Sequence, residues 1–484
     1  MCDRERGWSE VPSLKTWQLI AGSAALGLAL SVATVSAAGP WDSGQRKAER
    51  DRVASWGRTG GADHGAGPQP QAAPSAPGVL GAVGPGVPRG QAAAASGGLA
   101  AALGPLLADR ALGTVRAASV VDTATGQVLY EAGARDAMTP ASTVKIATGA
   151  AALAALGPEH RIRTTVAQGA APGQIVLVGG GDPSLTARKK APAGSGGSLV
   201  ALAADTAQAL KAAGTASVGL GYDDSLYTGP ARHPIGVNPN LALVTALTAD
   251  EGRPDESVSG PVDRSEDPSK DAARAFAALL AERGITVTGE PARAKAPQGA
   301  QPLASTPSTP LAGLVERMLT NSDNDIAEAL ARQTALASGQ PASFEGAEKA
   351  VAARLASLGV DTAASRFADG SGLNRADKVS AGLLTGLLAE AADPQRPELR
   401  PVLTGLPVAG FTGTLRARNA GASPAAGLLR AKTGTLTGVN SLAGTVVDSS
   451  GRLLAFAFLT SNSPGPEGAE KALDKLAAAV AATS

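Results

Sequence analysis

The chain has 484 residues, 44% of them apolar and only 3% aromatic, with a formal net charge of +1. Two or three domains fit that length, and the apolar share is enough for a core built from Val, Leu, Ile and Ala. The charge balance, with no long basic run and no aromatic-rich basic strip, excludes a nucleic-acid-binding class. A single cysteine, Cys2, excludes an intrachain disulfide and a cysteine zinc site.

Trp17 to Gly39 carries no charged residue and has about the 20 residues a membrane-crossing helix needs. Two expectations stand for residues 1–41. The length favours a retained signal-anchor, and the small-residue triplet Val35-Ser36-Ala37 favours a cleaved signal peptide. Either one places the rest of the chain outside the cytoplasm. Residues 42–98 are rich in Pro, Gly and Ala, a composition that buries little apolar surface and predicts a disordered linker.

Order is expected from Leu99. Val115–Gly133 reads as two β-runs around a turn at Thr123-Ala124-Thr125-Gly126. The segment "TPASTVKIATG" follows, and Ile146–Leu156 is small and apolar enough for a helix buried on most sides. Ser142 is then expected at the head of a central helix, with Lys145 one turn in. Arg161–Gln168 and Gln174–Val178 read as strands, and "GGGDPSLT" (Gly179–Thr186) as a structural glycine turn. Helices at Ser198–Ala213 and Lys270–Glu282, with strands at Ser217–Gly221 and Ile285–Gly289, predict an α+β insert.

A helix over Leu311–Leu319 is expected to stop at "TNSDND", and another to start at Ile326. Helical runs continue at Gly346–Leu358 and Val379–Ala391. β-Runs near Leu428–Thr433, Asn440–Val447 and Leu453–Thr460 precede a last helix over Gly468–Ala482. The simplest assembly is α+β: one antiparallel sheet made from both chain ends, with a helical cluster beside it and an inserted α+β domain.

Three short motifs stand in order: Ser142-Thr143-Val144-Lys145, Ser322-Asp323-Asn324 and Lys432-Thr433-Gly434. They occupy a helix start, an interhelical loop and an edge-type strand, the contexts a serine acyl-transfer site requires. A serine hydroxyl is a poor nucleophile until a base takes its proton. Residues i and i+3 share a helix face, so Lys145 lies beside Ser142. Burial near a second cation, Lys432, lowers a lysine's pKa and makes a neutral base available.

Ser322 can relay protons between the lysines and the leaving amine, and Asn324 can donate its amide to substrate. "SDN" is also a good helix cap, and both roles can hold together. Lys432 with Thr433 and Thr435 can bind a carboxylate, and Gly434 lets a substrate backbone lie along the strand. The backbone N–H groups of Ser142 and Thr435 are candidate oxyanion-hole donors. His64, His160 and His233 sit near no nucleophile motif, so structural or surface roles are expected and no metal is assigned.

From Leu99 onward the chain resembles the low-molecular-mass class C penicillin-binding proteins, the D-alanyl-D-alanine carboxypeptidase/endopeptidases. "GGGDPSLT", "GYDDSLYTGP" (Gly221–Pro230), "ADGSGLNR" (Ala368–Arg375) and "LPVAGFTGTLRAR" (Leu406–Arg418) look like that family's signatures. The resemblance implies a serine β-lactamase/DD-peptidase transpeptidase-like fold over 99–163 and 293–484, with an inserted domain over 164–292. It implies no cofactor, peptidoglycan stem peptides as substrate, and β-lactams as covalent inhibitors. It also implies a place on the cell-wall side of a bacterial membrane, reached by secretion or by an uncleaved N-terminal anchor. No E-x-x-L-N pattern lies between Asn324 and Lys432, which argues against a class A β-lactamase. A non-catalytic wall-binding or β-lactam-sensing protein has no need to keep every motif residue.

Overall fold

The computed structural model describes residues 89–483, and side chains from Gly98 onward. The expected targeting segment Trp17–Gly39, and the linker up to residue 88, lie outside the described residues. Helix α1 (Arg89–Leu107) begins within the stretch read as linker, on the alanine run 92–95. It buries Leu99, Leu103 and Leu107, a spacing of four that keeps them on one face.

Both chain ends build the first sheet. Its strands are β1 (Val115–Asp122) and β2 (Val128–Ala132) from the beginning of the described chain, and three strands from its end. The strand order places the last three, Leu453–Ser461, Val439–Val447 and Leu429–Leu436, beyond β1, with all neighbours antiparallel. The strand Leu453–Ser461 is apolar throughout because both of its faces are covered. Ala455, Ala457 and Leu459 join the core shared with the helical cluster. Leu454, Phe456 and Phe458 face the opposite core, with α1 and the C-terminal helix Pro466–Ala481.

Helix α2 (Lys145–Leu156) runs through the middle of the helical cluster, and its first nine residues are all buried. Small side chains make this burial achievable, as the alanine-rich sequence predicts. A separate sheet holds β3 (Arg163–Gln168), β4 (Gln174–Val178), β5 (Ser217–Asp223), β6 (Thr286–Arg293) and β7 (Pro302–Pro307) in the order β6-β5-β4-β3-β7. β4, β5 and β6 are parallel, and β3 is antiparallel to both its neighbours. Helices α3 (Leu199–Ala212) and α4 (Pro268–Glu282) cover it, and its core is separate. β7 lies beyond residue 292.

The remaining helices are α5 (Leu311–Asn321), α6 (Asn324–Ala337), α7 (Phe344–Ser357), α8 (Ala381–Ala392), α9 (Arg400–Thr404) and α10 (Pro466–Ala481). The last three strands, in chain order, are β8 (Leu429–Leu436), β9 (Val439–Val447) and β10 (Leu453–Ser461). β8 is the edge of the first sheet, as the third motif requires.

Candidate active site

The Ser142 turn is strained, and its serine side chain caps no helix. Ala141 has a φ of 48°, unusual for a residue with a side chain. Ser142 then lies in a 3₁₀ turn, Ala141–Val144, and α2 starts only at Lys145. Sequence reasoning put Ser142 at the head of the helix itself. The intervening turn means that its hydroxyl caps nothing: Val144 occupies the cap position of α2 without a side-chain bond.

Lys145 Nζ donates to Ser142 Oγ at 3.0 Å, to Asn324 Oδ1 at 2.7 Å and to the Ser371 carbonyl at 2.6 Å. The lysine is fully buried. Burial brings its pKa down to about 8, against the opposing pull first of Asp369, then of Glu328 and Asp323. A substantial share of neutral amine therefore exists near neutral pH, held within hydrogen-bond reach of a serine hydroxyl. That is the geometry of a general base beside its nucleophile.

The second motif sits where two helices meet. Ser322 ends α5 in the left-handed region, with φ 59° and ψ 38°. Asp323 then caps α6, accepting from the Ile326 N–H at 3.0 Å, a contact worth about 1 kcal/mol. This cap makes Asn324 the first residue of α6, two residues earlier than the apolar pattern suggests. Asn324 accepts from Lys145 through Oδ1, and its Nδ2 donates to the Asn240 carbonyl at 2.9 Å. One N–H of the amide that the sequence reading offers to substrate is thus taken by the Asn240 segment. The Ser322 side chain makes no hydrogen bond among the described residues.

The third motif lines the open edge of the first sheet. Lys432 is fully buried and donates to its neighbour's carbonyl, Thr433 O, at 2.8 Å. Burial, and secondarily the charge of Lys145, drive its pKa well below the ordinary lysine value. Thr433 meets Thr414 through their hydroxyls at 3.0 Å, and Thr435 is exposed, 3.4 Å from Glu470. Gly434 has a packing reason to lack a side chain. A Cβ there would stand 2.2 Å from Ser441 Oγ and 2.7 Å from the Pro140 carbonyl, at the nucleophile turn itself.

Sequence reasoning missed the segment that closes the site from behind. "ADGSGLNR", marked in the sequence only by its likeness to a family signature, supplies the Ser371 carbonyl on which Lys145 rests. Asp369 folds this loop around its own carboxylate, accepting from the N–H groups of Ser371 (3.1 Å), Gly372 (2.6 Å) and Asn374 (2.6 Å). Gly372 has φ +83°, and a Cβ there would meet the Ala141 carbonyl oxygen at 2.0 Å. Glycine therefore lets the loop touch the nucleophile turn. Glu328 accepts from the N–H groups of Gly370 and Ser371, and His233 Nε2 lies 3.0 Å from Asp369 Oδ2. His233 is buried. His233, Glu328 and Asp369 are close enough to hold a metal ion, but backbone N–H groups already occupy both carboxylates.

The other three signatures make structural contacts. Asp182 of "GGGDPSLT" accepts from the Ser184 N–H and hydroxyl. Tyr227 of "GYDDSLYTGP" is half-buried and accepts from Gln333, which also donates to the Gly180 carbonyl. "LPVAGFTGTLRAR" brings Thr414 to Thr433 and anchors Arg418 on Asp474 at 2.8 Å.

Comparison with known proteins identifies the family and the fold. The chain is 41% identical over 394 residues to carboxypeptidase DacB of Mycolicibacterium smegmatis, covering 79% of this chain and 83% of that protein. It is 30% identical over 452 residues to a D-alanyl-D-alanine carboxypeptidase of an Actinomadura species, covering 75% and 80%. Penicillin binding protein 4 of Haemophilus influenzae superposes with a TM-score of 0.62 at 22% identity, covering 78% of this chain and 98% of that one. The α+β DD-peptidase fold is therefore shared. The family model for D-Ala-D-Ala carboxypeptidase 3 (S13) matches residues 99–258 and 251–482, and the chain belongs to that family of class C penicillin-binding proteins.

Proposed function

We propose that this D-Ala-D-Ala carboxypeptidase works through an acyl-enzyme on Ser142. The observation that carries the reading is the buried Lys145 amine, 3.0 Å from Ser142 Oγ and with its pKa brought down to about 8. Neutral Lys145 takes the hydroxyl proton as Oγ attacks the carbonyl carbon of the penultimate D-alanine. The oxyanion forms against the backbone N–H groups of Ser142 and Thr435. Ser322 passes the proton to the nitrogen of the terminal D-alanine, the C–N bond breaks and D-alanine leaves. Water then attacks the ester, gives its proton to Lys145, and releases the shortened peptide and the Ser142 hydroxyl.

Lys432, Thr433 and Thr435 bind the terminal carboxylate, with Gly434 keeping that strand close to the nucleophile turn. Two ammonium groups are costly in one buried site, which fits the depressed Lys432. An incoming carboxylate favours its charged form again. Asn324 contributes its remaining N–H to the substrate backbone. The substrate is a peptidoglycan stem peptide on the cell-wall side of the membrane, and D-alanyl crosslinks fit the same chemistry. The Haemophilus influenzae protein has been crystallised with a β-lactam, and we expect β-lactams to acylate Ser142 here. We retain residues 164–292 as the inserted domain. It reaches the site through Asn240, which meets Asn324.

The test is the intact mass of the full chain after brief exposure to benzylpenicillin, beside Ser142→Ala. A long-lived adduct of one penicillin, absent from the folded variant, is expected. Penicillin destroyed without an adduct would make the chain a β-lactamase, and penicillin left untouched would make it a binding protein.

A further inference from the structure

The mechanism above leaves a buried acidic pair behind Lys145 without a task. Glu328 lies on α6 one turn beyond Asn324 and is fully buried. Its Oε1 accepts from the N–H groups of Gly370 at 3.2 Å and Ser371 at 3.0 Å, and its Oε2 accepts from Gly370 at 3.2 Å. Each of these partners is a donor, an arrangement that suits the ionised carboxylate. The Ser371 N–H that it grips belongs to the same residue whose carbonyl, on the next peptide, accepts a hydrogen bond from Lys145 Nζ at 2.6 Å.

We propose that Glu328 is a positioning residue for acyl transfer, fixing the Ser371 carbonyl against Lys145 and setting, by its charge, the pH at which that lysine becomes a base. The inference rests on the reading of Lys145 as the base for Ser142.

The charges around the pair can be counted element by element. On the loop, Asp369 is an anion held low, its burial outweighed by His233, Asp377 and the Gly372 N–H. Asp377, whose Oδ1 accepts the Asp369 N–H, is pushed up to about 10 by burial and by Asp369, so it keeps its proton. From the Asn240 side, His233 accepts the Ile235 N–H at Nδ1, which assigns its proton to Nε2, facing Asp369. On α6, Arg332 stacks on Phe344 and donates to the Ala342 carbonyl, and Asp323 caps the helix and adds a further anion. From β8, Lys432 is held well below the ordinary lysine value by burial and then by the charge of Lys145. Burial and Asp369 push the Glu328 carboxyl up, and His233 and the two backbone N–H groups oppose that push. Asp369 and Glu328 head the groups whose charge raises the Lys145 pKa against its burial.

Glu328→Gln separates the charge from the scaffold. The glutamine Oε1 can still accept both N–H groups, but the anion is gone. Lys145 then loses its proton at lower pH. The measurement is the second-order rate constant for benzylpenicillin acylation of the full chain, followed by intact mass across the titration of Lys145. In Glu328→Gln the acid limb of the pH profile is expected to move to lower pH by roughly one unit, with labelling retained. Glu328→Asp, which keeps the charge on a shorter arm, is expected to hold the limb near its wild-type position while the rate falls. This second variant also carries the test should the glutamine variant fail to fold, because a displaced limb in it would overturn the charge assignment. A limb unmoved in Glu328→Gln would reduce Glu328 to a scaffold and overturn the inference alone. Wild-type protein that takes no penicillin would overturn the Ser142 reading and this inference together.

Discussion

Two buried groups of carboxylates flank the start of α6, and they are held in different ways. On one side Glu328 and Asp369 are met by backbone N–H groups and one histidine. On the other, Glu251, Asp323 and Asp325 are met by guanidiniums: Arg264 bonds Asp325 at 2.9 Å, Arg253 bonds Glu251 at 3.0 Å, and Arg317 bridges Glu251 and Asp323. A peptide N–H satisfies a carboxylate's lone pairs without cancelling its charge, whereas an arginine does both. The first group therefore keeps its field, and Asp369 and Glu328 are the largest anionic influences on Lys145, ahead of Asp323. The second works as a clamp between the Asn240–Arg264 region and the Ser322-Asp323-Asn324 loop. Ala242 N–H to Asp325 Oδ1 at 2.8 Å and Asn324 to the Asn240 carbonyl complete it. Chemistry is tuned on one side and attachment is made on the other.

The largest effect tests the centre that both groups serve. Lys145→Met removes the base and leaves the surrounding carboxylates facing an apolar side chain. Penicillin acylation is expected to fall by roughly three orders of magnitude, within the 10²–10⁴ range of a general base. Stopped-flow or mass-resolved acylation checks this, and a fall of less than tenfold would take Lys145 out of the mechanism.

The clamp predicts a loss of stability in place of a pH shift. Arg264 and Asp325 are both nearly buried, and Arg264 also donates to the Glu251 carbonyl at 2.7 Å. Arg264→Met strands Asp325, and removing one partner of a buried pair costs about 3–5 kcal/mol. Thermal unfolding should report that loss, while the acid limb of the acylation profile stays in place. Adding Asp325→Asn should recover part of the stability, because the stranded charge is then gone. An unchanged midpoint in Arg264→Met would show that the clamp bears no load. A shifted acid limb would erase the distinction between the two sides.

The three motifs and the outline of both sheets were legible because each depends on local pattern. Ser142 and Lys145 are one turn apart, and the β8–β10 run alternates or is apolar throughout. What was not legible depends on distant partners. Lys145 and Ser371 are 226 residues apart in the chain, and no spacing rule reaches that far. The prolines also mislead. β7 begins and ends on proline, and β6 passes through Pro291, so neither reads as a full strand. Both are edge strands, where a missing N–H is tolerated. The cap residue Asp323 moved the start of α6 forward for a similar reason: the apolar pattern marks the buried face and says little about where the backbone begins to coil.

The smallest effect distinguishes the two sides through proton uptake. Asp377 has its pKa pushed up to about 10 by burial and then by Asp369, whereas in the unfolded chain it titrates near pH 4. The folded protein therefore holds a proton there that the unfolded chain has released. Stability falls as pH rises from the unfolded value toward the folded one, because folding must take that proton up. Asp377→Asn needs no proton, and its amide oxygen can still accept the Asp369 N–H, a bond now 3.1 Å long. The variant's melting temperature relative to wild type is expected to rise steadily with pH across this window. Melting curves from mildly acidic to mildly alkaline buffer give the trend directly. A constant difference would mean that Asp377 is ionised and adds its charge to those of Asp369, Glu328 and Asp323 in opposing the burial that lowers the Lys145 pKa.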